Sequence, residues 1–460
     1  MRQIDLVLRG DIVIPERVLR DGWIAVRDGR ILAVGCADQP APDAARTVDH
    51  SGRLILPGVV DGQTHATSAR GLPGIESTTR SAIAGGVTTL VDMPYDNPLP
   101  LDRIERFQAK ADAIAAHSHA DMALYATVTS ETRTRHVDEL IRVGVCAFKV
   151  SSFESSSTRF PRIGADVMLE LFTVLKDSGL PLGLHNEDQE IVLHGIAAEQ
   201  AAGHEGIAAH AASRPIAAEL AATAQFLALA QATGAHAHPV HVSCGQGLDM
   251  VSAFATDLAT RATAETCVHY LWFDLARNGG RLGARMKVSP PIRSGEIDAI
   301  WAAIVAGKVA LTSSDHSSWP IDGKLTPSIF AAGAGVPGVE TLLPAFFTAA
   351  AARGLDAATL TASQLSSGPA RLFGLEHKGR IAPGFDADFA ILERGTFVWD
   401  EAATHDELCW SPFHGETFGV RVASTWLRGA EVWNGKDILN TPGSGRYVAR
   451  TGRGWFGAVS

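Results

Sequence analysis

The sequence predicts an α/β protein, a (β/α)8 TIM barrel with a small β-sandwich domain formed from both chain ends, and three observations carry that prediction. Eight short apolar runs alternate with helical stretches through the middle of the chain. Both ends instead alternate apolar and polar positions, the texture of half-buried strands. His, Lys and Asp residues recur just after the middle runs, at the strand ends where such a barrel gathers its chemistry.

The elements follow in order. Residues 1 to about 55 read as strands in LVLRGDIVIP, GWIAVRDGRILAVG and RLILPG, with Asp28-Gly29 as a hairpin turn. The middle runs are LPGVV (56–60), VTTLVDM (87–93), DMALYATV (121–128), VCAFKV (145–150), LPLGLH (180–185), HPVHVS (238–243), RATAETC (261–267) and VALTSS (309–314). Segments such as AAELAATAQFLALAQATG between them are built from helix formers. After about residue 375 the strand texture returns in GRIAPGFDADFAILERG and VRVASTWLRGAEVWNG. The simplest division is a β-sandwich domain from residues 1–55 and 375–460, with the barrel at 56–374 between its two parts.

Composition narrows the function classes. A chain of 460 residues, 46% hydrophobic and 20% charged, can bury a large core. Its net charge of -10, with no basic stripe, argues against a nucleic-acid partner. The opening MRQIDLVLRGDIVIP is broken by charges, and no apolar run approaches a membrane span. Five scattered cysteines with no C-x-x-C suit thiols in a reducing compartment. A cytoplasmic location is expected.

Four pieces place metal-type ligands after apolar runs. They are VVDGQTH with His65, VCAFKV with Lys149, LPLGLHNE and HPVHVSC with His185 and His241, and VALTSSDH with Asp315. Three imidazoles, a carboxylate and a lysine suit a hydrolase that activates water between two divalent cations. A lone His after a strand is more often a hydrogen-bonded core residue, so His65 gains weight from its companions. His236 and His238 read as core residues, with His238 opening its strand and turned from the mouth. Lys149 in an apolar run is costly as a free ammonium. It makes sense as a carbamate formed with carbon dioxide, a two-oxygen anion able to bridge cations; a Schiff-base or salt-bridged lysine is the alternative. Asp315 can ligate metal and accept a proton from water, or simply cap a helix. His316 reads as a neighbour of the site.

Together these pieces resemble the cyclic amidohydrolases, the allantoinase, hydantoinase (dihydropyrimidinase) and dihydroorotase group. The resemblance runs through LPGVVDGQTH, AGGVTTLVDMP, AFK around Lys149, SRPIAAE, ETCVHYL, SPPIR, SDHSSWP, PGVET and KGRIAPGFDADFAIL, nearly the whole chain. It implies hydrolysis of a ring C–N bond in a cyclic amide, imide or ureide by a metal-bound hydroxide. Lys149 would bridge, His185 and His241 would hold one ion, and His65 with Asp315 would hold another. Zinc is the expected metal, with manganese the alternative, at one or two ions per chain. Asp315 would carry the proton to the leaving nitrogen, and Ser289 of SPPIR would bind the substrate ring. The resemblance also implies a homodimer or homotetramer.

The chain departs from the family pattern at Gln63, where the first His of an H-x-H pair is expected. A neutral amide is a weaker ligand than imidazole for zinc-like ions. Three readings follow: a weak second metal, a one-metal site, or a non-hydrolytic scaffold homologue. Retention of the other ligands favours hydrolysis. Dihydroorotase is demoted, because HATSARG lacks the expected Arg and Arg70 reads as a solvated loop residue. Arg214 and Glu219 of SRPIAAE read as a structural helix-entry motif.

Overall fold

The computed structural model describes residues 3–457, so Met1, Arg2 and residues 458–460 of the expected sandwich domain lie outside it. The amino-terminal alternation folds into β1 (Ile4–Ile14), β2 (Arg17–Arg27), β3 (Arg30–Gly35) and β4 (Ala44–Pro57). β2 and β3 form the expected hairpin, with Asp28 and Gly29 both at positive φ, the conformation a tight two-residue turn demands. The middle supplies β5 (Val59–His65), β6 (Val87–Asp92), β7 (Asp121–Ala126), β8 (Ala147–Ser151), β9 (Pro181–His185) and β10 (His236–Pro239), then β11 (Glu265–Cys267), β12 (Leu311–Ser313) and β13 (His316–Ser317). The carboxyl-terminal alternation gives β14 (Phe389–Val398), β15 (Thr417–Leu427) and β16 (Ala430–Trp433).

Two large sheets result, in a mixed α/β fold. One has the order β16-β15-β14-β4-β1-β2-β3, so strands from the two chain ends pair directly through β14 and β4. All its pairs are antiparallel except β1 with β4. The other is a curled parallel sheet, β10-β9-β8-β7-β6-β5-β13. β11 and β12 form a parallel pair of their own, joined towards β10 by a bridge between Ala237 and Ala262. A Cβ on Gly62 of β5 would meet Leu311 of β12 at 2.6 Å, so glycine lets these strands approach.

Strands β6 to β9 are wholly buried, which explains their continuous apolar texture: a parallel sheet covered on both faces has no polar side. Two runs differ from expectation. LPGVV straddles both sheets, because β4 continues to Pro57 to meet β14 and β5 begins at Val59. The sixth strand starts at His236, not His238, and ends before His241.

A buried charge cluster ties the two sheets. The Lys378 ammonium lies 2.6 Å from Asp121 at the start of β7, 2.9 Å from Asp386 and 2.7 Å from Asp388, the last two just ahead of β14. Arg428 adds a second cation on Asp121. The three carboxylates could group around a metal ion, but the Lys378 ammonium already sits among them. The segment after β16 turns back to the parallel sheet, where the Met122 amide donates to the Arg446 carbonyl at 2.9 Å and the Val448 amide donates to the Met122 carbonyl at 2.8 Å, bridging Met122 to Tyr447. Among the described residues no helix is long and apolar enough to cross a membrane.

Candidate active site

A cavity of about 320 Å3 opens where the parallel strands end. His65, Lys149, His185, His241, Ser289 and Asp315 all line it. β5 delivers His65 as its last residue. β13 pairs with β5, setting His316 and Ser317 beside Thr64 and His65, and this brings Asp315 to the end of β5. Nε2 of His65 is 3.3 Å from Oδ1 of Asp315, and Nδ1 is 3.1 Å from the Ser68 hydroxyl. Asp315 caps no helix, since β13 follows it directly.

Across the cavity, Nδ1 of His185 lies 3.0 Å from Nε2 of His241. His185 ends β9, while His241 stands past β10 at φ 40°, and Asp315 has φ 48°. Non-glycine residues at positive φ carry backbone strain, and here it falls on two of the expected ligands. Lys149 sits within β8, buried, with its amine 5.8 Å from the Phe160 ring centre. Asp315 and Glu265 act on that amine through space, without a hydrogen bond to either.

The electrostatics match this convergence. Burial pushes the Lys149 amine below the ordinary lysine range, against the pull of Asp315 and Glu265. Burial alone would raise the Asp315 carboxyl, but the hydrogen bond and charge of His65, then His241 and Lys149, hold it well below the usual carboxylate range. Burial keeps His241 neutral, with His185 and Lys149 adding to the effect. Asp315 therefore offers an anion and His241 a neutral imidazole, the forms a cation needs.

Gln63 is fully buried in β5. Its Nε2 donates to Asp315 Oδ1 at 2.7 Å, so the amide addresses a side chain rather than a neighbouring backbone group. The donor chemistry fits a divalent ion: imidazoles from two sides, a carboxylate, and buried Oε1 of Gln63 and Nδ1 of His241 with no hydrogen-bond partner among the described residues.

His236, His238 and His316 behave as core residues. His238 bonds Thr263 at 2.8 Å and Glu265 at 3.2 Å, and His236 bonds Thr263 at 2.8 Å. His316 accepts from the Gly338 amide at 3.2 Å and lies behind the cavity wall. Arg70 reaches out to Glu407 at 3.0 Å.

Arg214 and Glu219, expected to form a helix-entry motif, turn to different partners. Glu219 bonds Arg293 and Ser243. Arg214 turns into the cavity wall and donates to Glu187 at 2.5 Å, and the same Glu187 oxygen holds Nε2 of His185 at 2.9 Å. Tyr95, Arg159 and Lys287 also line the cavity and escaped the sequence reading. Arg159 stacks over Tyr95 at 4.8 Å, and Tyr95 packs edge-on to His65. Lys287 donates to Ile329 at 2.6 Å and Ala332 at 2.5 Å, pinning the loop over the mouth, and burial pushes it down to about 8. Glu187 in LHNE, two residues after the expected ligand His185, was the one local signal available.

A model of the amidohydrolase family matches residues 54–432, which include every one of these expected ligands. The chain belongs to the amidohydrolase family. Among its amidohydrolase relatives, an allantoinase of Rubrobacter xylanophilus is 35% identical, covering 97% of this chain and 98% of the relative. An allantoinase of Deinococcus radiodurans is 32% identical, covering 95% and 97%. The structure resembles the L-hydantoinase (dihydropyrimidinase) of Arthrobacter aurescens with a TM-score of 0.92 at 27% identity, covering 97% of this chain and all of that one.

Proposed function

We propose that this amidohydrolase opens a ring C–N amide bond of a cyclic ureide, of the allantoin or hydantoin type. The observation that carries the reading is the convergence of His65, His185, His241 and Asp315 on one cavity that also holds buried Lys149, whose amine has no hydrogen-bond or ion-pair partner among the described residues. Likeness to allantoinases along nearly the full chain supports the substrate class. The non-hydrolytic alternative would leave that ligand set without a purpose.

His185 and His241 would hold one divalent ion, and His65 with Asp315 would contribute to another, Lys149 bridging as its carbamate. Zinc suits this donor set, manganese less well. Bound there, a divalent ion supplies Lewis-acid polarisation of the ring carbonyl and acidifies the attacking water. Asp315, beside His65 in the cavity, takes the proton from that water as the new C–O bond forms. It then returns the proton to the ring nitrogen as the C–N bond breaks, leaving a ring-opened carboxylic acid. Ser289 lies in the wall where it can orient the ring. Glu187 and Arg214 fix the His185 imidazole from behind.

The fold reading is a (β/α)8 barrel carrying a β-sandwich domain, divided at 1–55, 56–374 and 375–460, with the segment after β16 reaching back to the barrel. Pairing around β5 to β13 supports it. A homodimer or homotetramer in the cytoplasm is the proposed setting.

The test is turnover by purified full-length protein supplied with zinc or manganese. The panel is allantoin, substituted hydantoins, dihydropyrimidines and cyclic imides, followed by ring-opened acid. Turnover of a five-membered ureide is expected, and no turnover of any ring would refute the assignment.

A further inference from the structure

The two amide atoms of Gln63 have different fates. Nε2 donates to Oδ1 of Asp315 at 2.7 Å. Oε1 is buried with no hydrogen-bond partner among the described residues, an unfavourable state unless a cation or donor meets it. The carboxylate fixes this orientation, because a flipped amide would set oxygen against oxygen. The same Oδ1 is also 3.3 Å from Nε2 of His65. One oxygen of Asp315 is thus engaged by two protein groups before any ligand arrives.

The opposite wall is built otherwise. His185 and His241 face each other through ring nitrogens 3.0 Å apart, and the far nitrogen of His185 is braced by Glu187 at 2.9 Å. No amide competes there. We infer that Gln63 makes the two walls of the cavity unequal cation sites. An ion beside His65 and Asp315 finds Oδ1 already engaged by the Gln63 amide, so it must compete for that oxygen or make do with the other one, and it receives at most a neutral oxygen from Gln63. That ion is held weakly and exchanges, while an ion beside His185 and His241 is retained. The inference rests on the metal-dependent reading above and makes Gln63 a positioning residue for Asp315.

The test uses full-length protein loaded with zinc, read by bound metal rather than by activity. After mild chelation about one ion per chain remains, and titration finds the second bound about 10- to 100-fold more weakly. Gln63→His and Gln63→Glu each remove the amide donor and add a stronger ligand, so both tighten the second ion and raise retention towards about two. Two ions held with equal tenacity by the unmodified protein would overturn the inference. So would an unchanged second affinity in both variants with circular dichroism and first-site zinc preserved. If neither variant folds, anomalous scattering from wild-type crystals at limiting zinc decides. Signal confined to His185 and His241 supports unequal sites, and equal signal at both walls refutes them. Ring opening assayed on the same preparations separates the two readings: unequal sites without turnover sink only the hydrolase assignment, and equal sites with turnover sink only this one.

Discussion

One carboxylate oxygen of Glu187 holds Nε2 of His185 at 2.9 Å while accepting from Arg214 at 2.5 Å. Burial would raise the Glu187 carboxyl, but Arg214 and then His185 hold it well below the usual range, so it stays anionic. The ring of His185 is therefore oriented by a buried ion pair as well as by packing against Phe153 and His241.

Removing one member of that pair strands the other. Glu187→Gln is expected to destabilise the fold by about 3–5 kcal/mol, because Arg214 is left buried and unpaired. It should also weaken zinc retention about 10- to 100-fold by freeing the His185 ring. Thermal unfolding and metal titration read the two effects separately. Arg214→Lys, with the charge kept and the fork lost, should fall between the wild type and the glutamine variant.

Lys149 should carry a carbamate in zinc-loaded protein. Intact mass under mild conditions, or labelled bicarbonate followed by carbon NMR, detects the added group, and acid removes it. Lys149→Ala should lose metal, with part of the retention restored by a short carboxylic acid. A free amine in fully metal-loaded protein would contradict this.

Asp315→Asn keeps the shape of the side chain and loses its ability to take a proton. Turnover should fall by about 100- to 10,000-fold with circular dichroism unchanged. Near-wild-type turnover would reduce Asp315 to a structural partner of His65.

Away from the cavity, Asp406 gives a pH prediction. Burial raises its carboxyl to about 6, with Glu340 adding and the Leu408 amide opposing. A raised folded pKa favours the protonated form, so the native state binds more protons than the unfolded chain between about pH 4 and 6. Its contribution to stability is full below about pH 4 and is lost as pH rises through about 6. Asp406→Asn mimics the protonated acid and should match the wild type near pH 4. Near pH 7.5 it should be more stable by about 1–3 kcal/mol. Equal melting temperatures at both pH values would refute this.

What the sequence revealed follows from how far each signal reaches. Strand texture is local, so the runs carrying Lys149, His185 and Asp315 were readable from a few neighbours each. The Asp28-Gly29 hairpin was readable for the same reason. The extent of β4 was not, because its last residues are strand only by pairing with β14, more than three hundred positions later. Arg214 looked like a helix entry because its partner, Glu187, lies 27 residues upstream with no periodicity to link them. Tyr95, Arg159 and Lys287 come from loops, where no repeat marks which side chain turns inward. The grip of Gln63 on Asp315 spans 252 residues and belongs wholly to the fold.

Because β4 meets β14 in one sheet, the chain is stitched shut by its own last strands. During synthesis β1 to β4 emerge first and can pair with one another, but one edge of β4 stays bare until the whole parallel sheet and β14 have followed. A bare apolar edge is an invitation to the wrong strand. A chain terminated anywhere before β14 would therefore be inclined to dimerise through β4. Truncating the gene just upstream of Phe389 should give aggregates, even though every residue of the cavity is present.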